Sequence, residues 1–222
     1  MLIKNSLFLF LLLFINNIAK AEIFNFNSKN IKVLIEENKI LAGKGVVTSS
    51  NGLKVFANNF EYLKDKNILK SSGNGKAINE SRSIEINFEN AIFDGNNNTI
   101  SASGNIEMTH FGKNILIIGE TLFYDDKNKL ISSKDKTTIS DSLQNTYKAE
   151  AFTFEIDNEI IKFKNLEFID NENNILTADL AYINVNSGKL FGKDLYIELN
   201  NFSNNDQNEP RLKGRSFIND VD

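Results

Sequence analysis

A unit of about 30 residues recurs five times along this chain, and it limits the possible folds more than any other feature. Each unit has a small or apolar residue, then Asn, Glu or Asp, then apolar residues two and four places further on. The polar positions are 58, 89, 120, 150 and 179, so the steps between them are 31, 31, 30 and 29. Such a regular internal period is typical of chains built by stacking one supersecondary unit.

Within each unit the pattern predicts a strand, a polar turn and a second strand. The turns include Leu63–Asn67, Asp94–Asn98 and Asp125–Lys129, all rich in Asp, Asn, Gly or Lys. Asp, Asn and Gly tolerate left-handed backbone angles and are common in tight turns. The turns therefore predict hairpin-like connections between antiparallel strands.

The second strand of one unit, Ile100–Met108, alternates strictly between two kinds of side chain. One face carries Ile100, Ala102, Gly104, Ile106 and Met108, and the other carries Ser101, Ser103, Asn105 and Glu107. A period of two is typical of a strand with one apolar and one wet face. Helical spacing is absent after the first 21 residues. The sequence therefore predicts an all-β sandwich or jelly roll of 30-residue strand-turn-strand repeats, with a parallel β-helix as the alternative.

The first residues predict export. Lys4 precedes an unbroken apolar run, Leu7–Ile15, and Ala19-Lys20-Ala21 then places small residues at a cleavage site. Because the run is about half the roughly 20 residues that span a bilayer, a cleaved signal peptide is favoured over a membrane anchor. We expect residues 1–21 to be the signal peptide and 22–199 to be the β-domain. Residues 200–222 break the pattern and are expected to be a linker or the start of a further region.

The charges do not predict nucleic-acid binding or catalysis. The 25 basic and 29 acidic residues are mixed along the chain, with no basic patch. The recurring acidic residues lie about 30 positions apart, whereas acid–base catalysis needs groups that converge on one substrate. One histidine, His110, and no cysteine argue against a zinc site. We expect no enzymatic activity, no cofactor and no metal site.

Two motifs carry a resemblance to a known family. Gly119–Asp125 and Ser101–Ile106 resemble the OstA-like repeat of lipopolysaccharide-transport proteins, and the resemblance extends over residues 31–199. It implies an open, antiparallel β-jelly roll in the periplasm that holds lipopolysaccharide acyl chains in an apolar groove. Similar jelly rolls would join it by edge-strand addition. The chain then resembles either the periplasmic part of LptD, which continues into an outer-membrane barrel, or a free-standing LptA-like protein.

The alternation and the resemblance together predict the site residues. The expected groove positions are Phe60, Tyr62, Phe93, Ile100, Ala102, Ile106, Met108, Leu122, Tyr124, Phe152 and Phe154. The expected partner edge consists of Ile31, Val33 and Ile35. The alternative is that the apolar stripe fills an ordinary closed core. The protein would then be an exported structural or adhesive scaffold.

Overall fold

The computed structural model describes residues 24–198 and 211–219, most of which lie in β-strands. The strands are β1 (Phe24–Ser28), β2 (Ile31–Leu34), β3 (Lys39–Ala42), β4 (Gly45–Ser49), β5 (Lys54–Ala57), β6 (Asn59–Leu63), β7 (Ile68–Asn79), β8 (Ile84–Asp94), β9 (Thr99–His110), β10 (Ile115–Asp125), β11 (Leu130–Ser133), β12 (Thr137–Ser140), β13 (Thr146–Ala149), β14 (Ala151–Glu155), β15 (Ile160–Ile169), β16 (Ile175–Asn184), β17 (Leu190–Glu198) and β18 (Arg211–Asn219). Short 3₁₀ turns occupy Lys64–Lys66 and Glu80–Arg82. The predicted signal peptide, residues 1–21, lies outside the described residues. In the described ranges no helix has the length and apolar character needed to cross a membrane.

All strand pairings among these residues are antiparallel. The predicted all-β, antiparallel fold is therefore confirmed. A parallel β-helix is excluded, because its neighbouring strands would run in the same direction.

The strands form two facing layers that share their long strands. Layer A contains β2, β3, β6, β11 and β14, and layer B contains β1, β4, β5, β12 and β13. The long strands β7–β10 and β15–β18 give one half to each layer. For example, β7 pairs with β6 through residues 68–72 and with β5 through residues 76–78. The two layers are thus continuous along one side, where the long strands bend; we call this side the corner.

Left-handed backbone angles make the bend at the corner. Gly73 and Asn74 have φ of 78° and 48°, and Gly104 and Asn105 have φ of 78° and 49°. The second pair belongs to the Ser101–Ile106 motif, the first pair is its counterpart in Ser71–Asn74, and the strand register shifts beside both pairs. The motif that reads in sequence as part of one flat strand is therefore the point at which that strand changes layer.

The turns on the other side of the molecule tie one repeat to the next. Asn67 and Asn98 close their turns with φ of 52° and 56°. The carbonyl of Asn67 accepts the Gly95 N–H at 2.9 Å, and that of Asn98 accepts the Asp126 N–H at 3.0 Å. The same bond recurs at Asn38–Lys64, Lys129–Ile156 and Glu159–Val185. Each repeat thus extends the stack through one backbone bond at its turn as well as through its strands.

The segment beyond the predicted β-domain contains a further strand. Residues 200–222 were expected to be a linker or the start of a further region, but β18 pairs with β17 from Leu190↔Asn219 to Glu198↔Arg211. The 30-residue motif does not extend into this segment, but the backbone of a strand can pair without the motif. Residues 211–219 are therefore the last described strand of the sheet.

Candidate functional site

The eleven predicted groove residues all face the space between the layers. Each is buried, with at most 8% of its surface exposed. Nine of them lie on the layer A halves of their strands, and Ile106 and Met108 lie on layer B, beyond the bend of β9. The alternation of apolar and polar residues thus identified the inward side of these strands. In β9 the even-numbered residues face inward both before and after the bend at residues 103–105.

Layer B supplies interior residues that the sequence analysis missed. They include Val47, Val55, Ile86, Phe88, Ile117, Ile139 and Tyr147, all buried. The recurring motif begins at the corner and runs into layer A, so the apolar residues that follow it are those of layer A. The signal for layer B was the alternation that precedes each polar position, as in Ile84, Ile86 and Phe88 before Glu89.

Aromatic rings join the two layers across the interior. Tyr147 of layer B stacks on Phe163 of layer A, with ring centroids 5.6 Å apart and planes 8° apart. At the start of the stack, Phe24 meets Tyr62 edge to face at 5.2 Å. These geometries are the ones aromatic pairs prefer, and they hold the layers in direct contact.

The interior is closed in this conformation. Phe154, Phe163 and Met108 have no exposed surface. A cavity of about 140 Å³ remains at the turn side, lined by inward residues of both layers such as Phe24, Ile86, Phe93, Ile100 and Tyr124. An apolar cavity of about 150 Å³ accepts a molecule the size of benzene. The space that is already open is therefore far smaller than an acyl chain of a dozen carbons.

Charged side chains of opposite layers meet at this turn side, which we call the mouth. Arg82, in layer B, is ion-paired with Asp126, in layer A. The same Asp126 oxygen accepts hydrogen bonds from the Tyr124 hydroxyl and the Lys129 ammonium, each at 2.9 Å. Burial raises the pKa of Tyr124. This phenol is therefore a neutral donor at the inner rim of the mouth.

In the described ranges, two buried polar side-chain atoms lack a hydrogen-bond partner. They are the Ser71 hydroxyl and Nδ1 of His110. Burial lowers the pKa of His110, which ends β9 and faces inward, so its neutral form is favoured in the folded chain. Unsatisfied buried polar groups are costly, so these two are exceptions among the buried polar residues, which also include Asn67, Asn79 and Thr137.

The recurring polar residues lie at the corner rather than in a catalytic cluster. Glu89 lies against the bend of the next strand, since a Cβ placed on Gly104 would lie 2.8 Å from its Cβ. Glu150 accepts a hydrogen bond of 2.6 Å from the Asn165 amide. Asn58, Glu89 and Glu150 thus each lie against the bend of a neighbouring strand, which is a structural role. Among the described residues, no group of three His, Cys, Asp or Glu could hold a metal ion.

The outer surface of layer A has a second depression. This trough has a volume of about 1640 Å³ and runs across β3, β6–β11 and the start of β2. Its outward side chains include Ile92 and Phe123, 45% and 40% exposed, and Thr121. The trough was not predicted, because these residues fall on the polar face of the alternating pattern.

The predicted partner edge lies at the start of the stack. Ile31, Val33 and Ile35 are 47%, 54% and 82% exposed. β2 pairs with β3 on one side, and no other described strand pairs with it. Ile31 and Val33 thus lie on an edge that no described strand covers, and Ile35 lies in the turn that follows β2.

Bent antiparallel strands, two facing layers and a continuous apolar interior define a jelly-roll protein built from stacked repeats. The chain belongs to the OstA-like protein family, whose sequence profile matches residues 57–203. The family resemblance inferred from the repeats is thereby confirmed.

Among solved structures, the chain is similar to LptH from Pseudomonas aeruginosa. That protein is described as the LptA-homologous periplasmic component of the conserved lipopolysaccharide transport device. The match has 12% sequence identity and a TM-score of 0.26, and it covers 60% of this chain and 75% of that chain. No curated protein sequence matches the chain.

Proposed function

We propose that this protein is a periplasmic lipopolysaccharide-transport module that receives acyl chains between layers A and B. The observation that carries the proposal is the continuous apolar interior between two sheets in a member of the OstA-like family. The description of LptH as a periplasmic transport component agrees with this assignment. The module acts by binding and release, without chemical conversion of the lipid.

The interior suits a flexible hydrocarbon chain. Its residues are aliphatic and aromatic and offer few hydrogen-bonding groups, so they hold an acyl chain without fixing its position. Burying one methylene group contributes about 0.8 kcal/mol, so a chain of a dozen carbons would gain roughly 10 kcal/mol. A gain of this size can offset the cost of separating the two layers.

The ends of the stack suit assembly with similar domains. As far as the described strands go, β1 and β2 begin the stack with one paired side each, and β18 ends it in the same way. Such edges present backbone N–H and C=O groups that another strand can pair with. Addition of a partner strand at Ile31, Val33 and Ile35 would extend the interior into the next domain.

A photo-crosslinking experiment tests the lipid site. A photoreactive residue at Leu122 or Phe152, which face inward, should capture lipopolysaccharide during transport. The same residue at Thr121 or Thr153, which face outward, should not. Neighbouring positions point to opposite faces, so each pair is a matched control. Capture at Thr121 but not at Leu122 would move the site to the outer trough of layer A.

The Leu122→Asp variant separates the lipid site from an ordinary core. A lone carboxylate in a permanently dry core costs several kcal/mol. If the interior opens to ligand, Leu122→Asp should strongly reduce the amount of lipid that is captured. The urea concentration at the midpoint of unfolding should then fall only slightly. Unfolding of the variant, with no capture at Leu122 or Phe152 in the parent, would favour an exported structural scaffold. The closed packing of the interior is the observation that supports this second function.

A further inference from the structure

The closed interior requires a route by which a ligand enters. This inference rests on the proposed function. The open space of about 140 Å³ does not hold an acyl chain, so the two layers must separate before one is bound. The corner cannot be the opening, because the backbones of β7, β8, β9 and β10 cross it. At the opposite side, the mouth, no described segment of the chain crosses between the layers, which meet there through side chains of the turns.

Two ion pairs cross the mouth. Arg82 follows β7 on layer B and reaches Asp126, which follows β10 on layer A, 44 residues away. Lys113 follows β9 on layer B and reaches Glu159, which follows β14 on layer A, 46 residues away. In both pairs the cation belongs to layer B and the carboxylate to layer A. Each pair therefore pulls one layer toward the other.

The ion pairs are partly shielded from water. The side chains of Arg82 and Asp126 are 27% and 14% exposed, and those of Lys113 and Glu159 are 28% and 25% exposed. Other ion pairs of layer B are more exposed and join strands or turns of one layer, as Lys54–Glu80 does with side chains 46% and 78% exposed. Partial burial weakens screening, so the pairs at the mouth act more strongly than ordinary surface pairs.

The existing cavity lies directly behind the first ion pair. Arg82 and Asp126 form part of its lining, together with inward residues of both layers. Tyr124 connects the two features, because its ring lines the cavity and its hydroxyl is bonded to Asp126. Release of Arg82 from Asp126 would thus widen the opening between this cavity and the solvent.

We propose that the mouth is the lateral entrance of the protein and that Arg82–Asp126 and Lys113–Glu159 form an electrostatic clamp that holds it shut. The ligand class is an amphiphile with acyl chains, which enter sideways between the turns while the polar head stays outside. The clamp lowers the rate at which empty protein exposes its apolar interior. Entry through the ends of the stack while the mouth stays shut is the route that this proposal excludes.

A cross-link across the mouth tests the entrance. The chain contains no cysteine, so Arg82→Cys/Asp126→Cys can be bridged specifically with a short bismaleimide. The control is Lys54→Cys/Glu80→Cys, which replaces an ion pair within layer B by the same bridge. Binding is followed with purified lipopolysaccharide added to the full mature chain. We expect the bridge across the mouth to slow association at least tenfold, and the control bridge to change it less than twofold.

Charge reversal tests the clamp itself. Lys113→Glu should place two carboxylates together, and we expect association to become at least threefold faster. Lys113→Glu/Glu159→Lys restores an attractive pair with the signs exchanged and should return the rate to that of the parent. A purely structural role of Lys113 would not give this rescue.

The outcomes separate the clamp from the proposed function. If the unbridged protein binds lipopolysaccharide and the bridged protein binds equally fast, the entrance lies elsewhere and the clamp is rejected, while the transport function stands. If charge reversal leaves the rate unchanged, the ion pairs do not hold the mouth shut. If neither the parent nor the control binds lipopolysaccharide, both the clamp and the proposed function are rejected.

Discussion

Gly104 and Asn105 bend β9 with backbone angles that most residues disfavour. Both have positive φ, where a Cβ atom is crowded against the following carbonyl. Gly104 also lies against Glu89, the recurring polar residue of the neighbouring strand. The recurring polar position and the Gly-Asn pair are thus in contact at both Gly-Asn bends, as Asn58 with Gly73 and Glu89 with Gly104.

Replacing Gly104 by alanine should destabilise the protein in two ways. A left-handed alanine costs about 1–2 kcal/mol. The new methyl group would also lie 2.8 Å from the Glu89 Cβ, and forced contacts of this kind typically cost about 1–3 kcal/mol. Gly52→Ala is the matched control, since Gly52 has φ of 82° but no atom within 4 Å of an added Cβ. Urea unfolding should show a clearly larger loss for Gly104→Ala. Equal losses would mean that the contact with Glu89 has no structural effect.

At the scale of elements, the sequence predicted which side of each strand faces inward but not the path of the strand. Ala102 and Ile106 share one face of the alternating pattern, yet Ala102 lies on layer A and Ile106 on layer B. Alternation reports only the side on which a residue lies. A bend that spans three residues preserves that parity, so a flat strand and a bent one give the same sequence pattern.

The edge strand β2 has backbone donors that point in opposite directions. The Gly43 N–H donates to the Asn30 carbonyl at 2.9 Å, which makes 30/43 a hydrogen-bonded pair. Such pairs alternate along an antiparallel ladder, and Val33 lies opposite Ile40 at a non-bonded position. The N–H of Val33 therefore points away from β3, toward the free edge.

The Val33→Pro variant should block assembly while leaving the domain folded. Proline removes the outward N–H of Val33, which a partner strand would need, and it removes no bond to β3. Site-specific crosslinking to a partner jelly roll should fall at least fivefold, while the thermal midpoint changes by no more than a few degrees. Val33→Ala, which keeps the N–H, is the control. Unchanged crosslinking of a folded Val33→Pro protein would rule out β2 as the receiving edge.

At the scale of the whole molecule, the repeat defines a stack rather than a closed shell. Each unit pairs with its neighbours through two strands, and its turn is bonded to the next turn at positions such as Asn67–Gly95. This local order was visible in the 30-residue period. The contacts between the layers were not visible in the sequence, because Arg82 and Asp126 lie on different turns of different repeats and belong to no motif. Closure of the mouth depends on such pairs and could not be predicted from periodicity.

A stack of equivalent units should tolerate removal of one whole unit. Deletion of residues 89–119 joins Phe88 to Glu120, so that the layer B half of β8 continues into the layer A half of β10. β8 and β10 cross the corner in the same direction. The deletion removes Glu89, the polar residue at the bend of β8, and keeps Glu120, the equivalent residue at the bend of β10. Stability in repeat proteins is approximately a sum of unit and neighbour contributions. The shortened chain should therefore unfold cooperatively, at a lower urea concentration than the parent.

The matched control removes half a unit. Deletion of residues 89–104 joins Phe88 to Asn105, and both flanking segments then belong to layer B, so no strand crosses the corner at this point. This chain should lose its cooperative transition and its β-sheet signal in circular dichroism. Loss of folding in both deletions would show that the repeats are not interchangeable. Folding of both would show that the bent strands are not needed to join the layers.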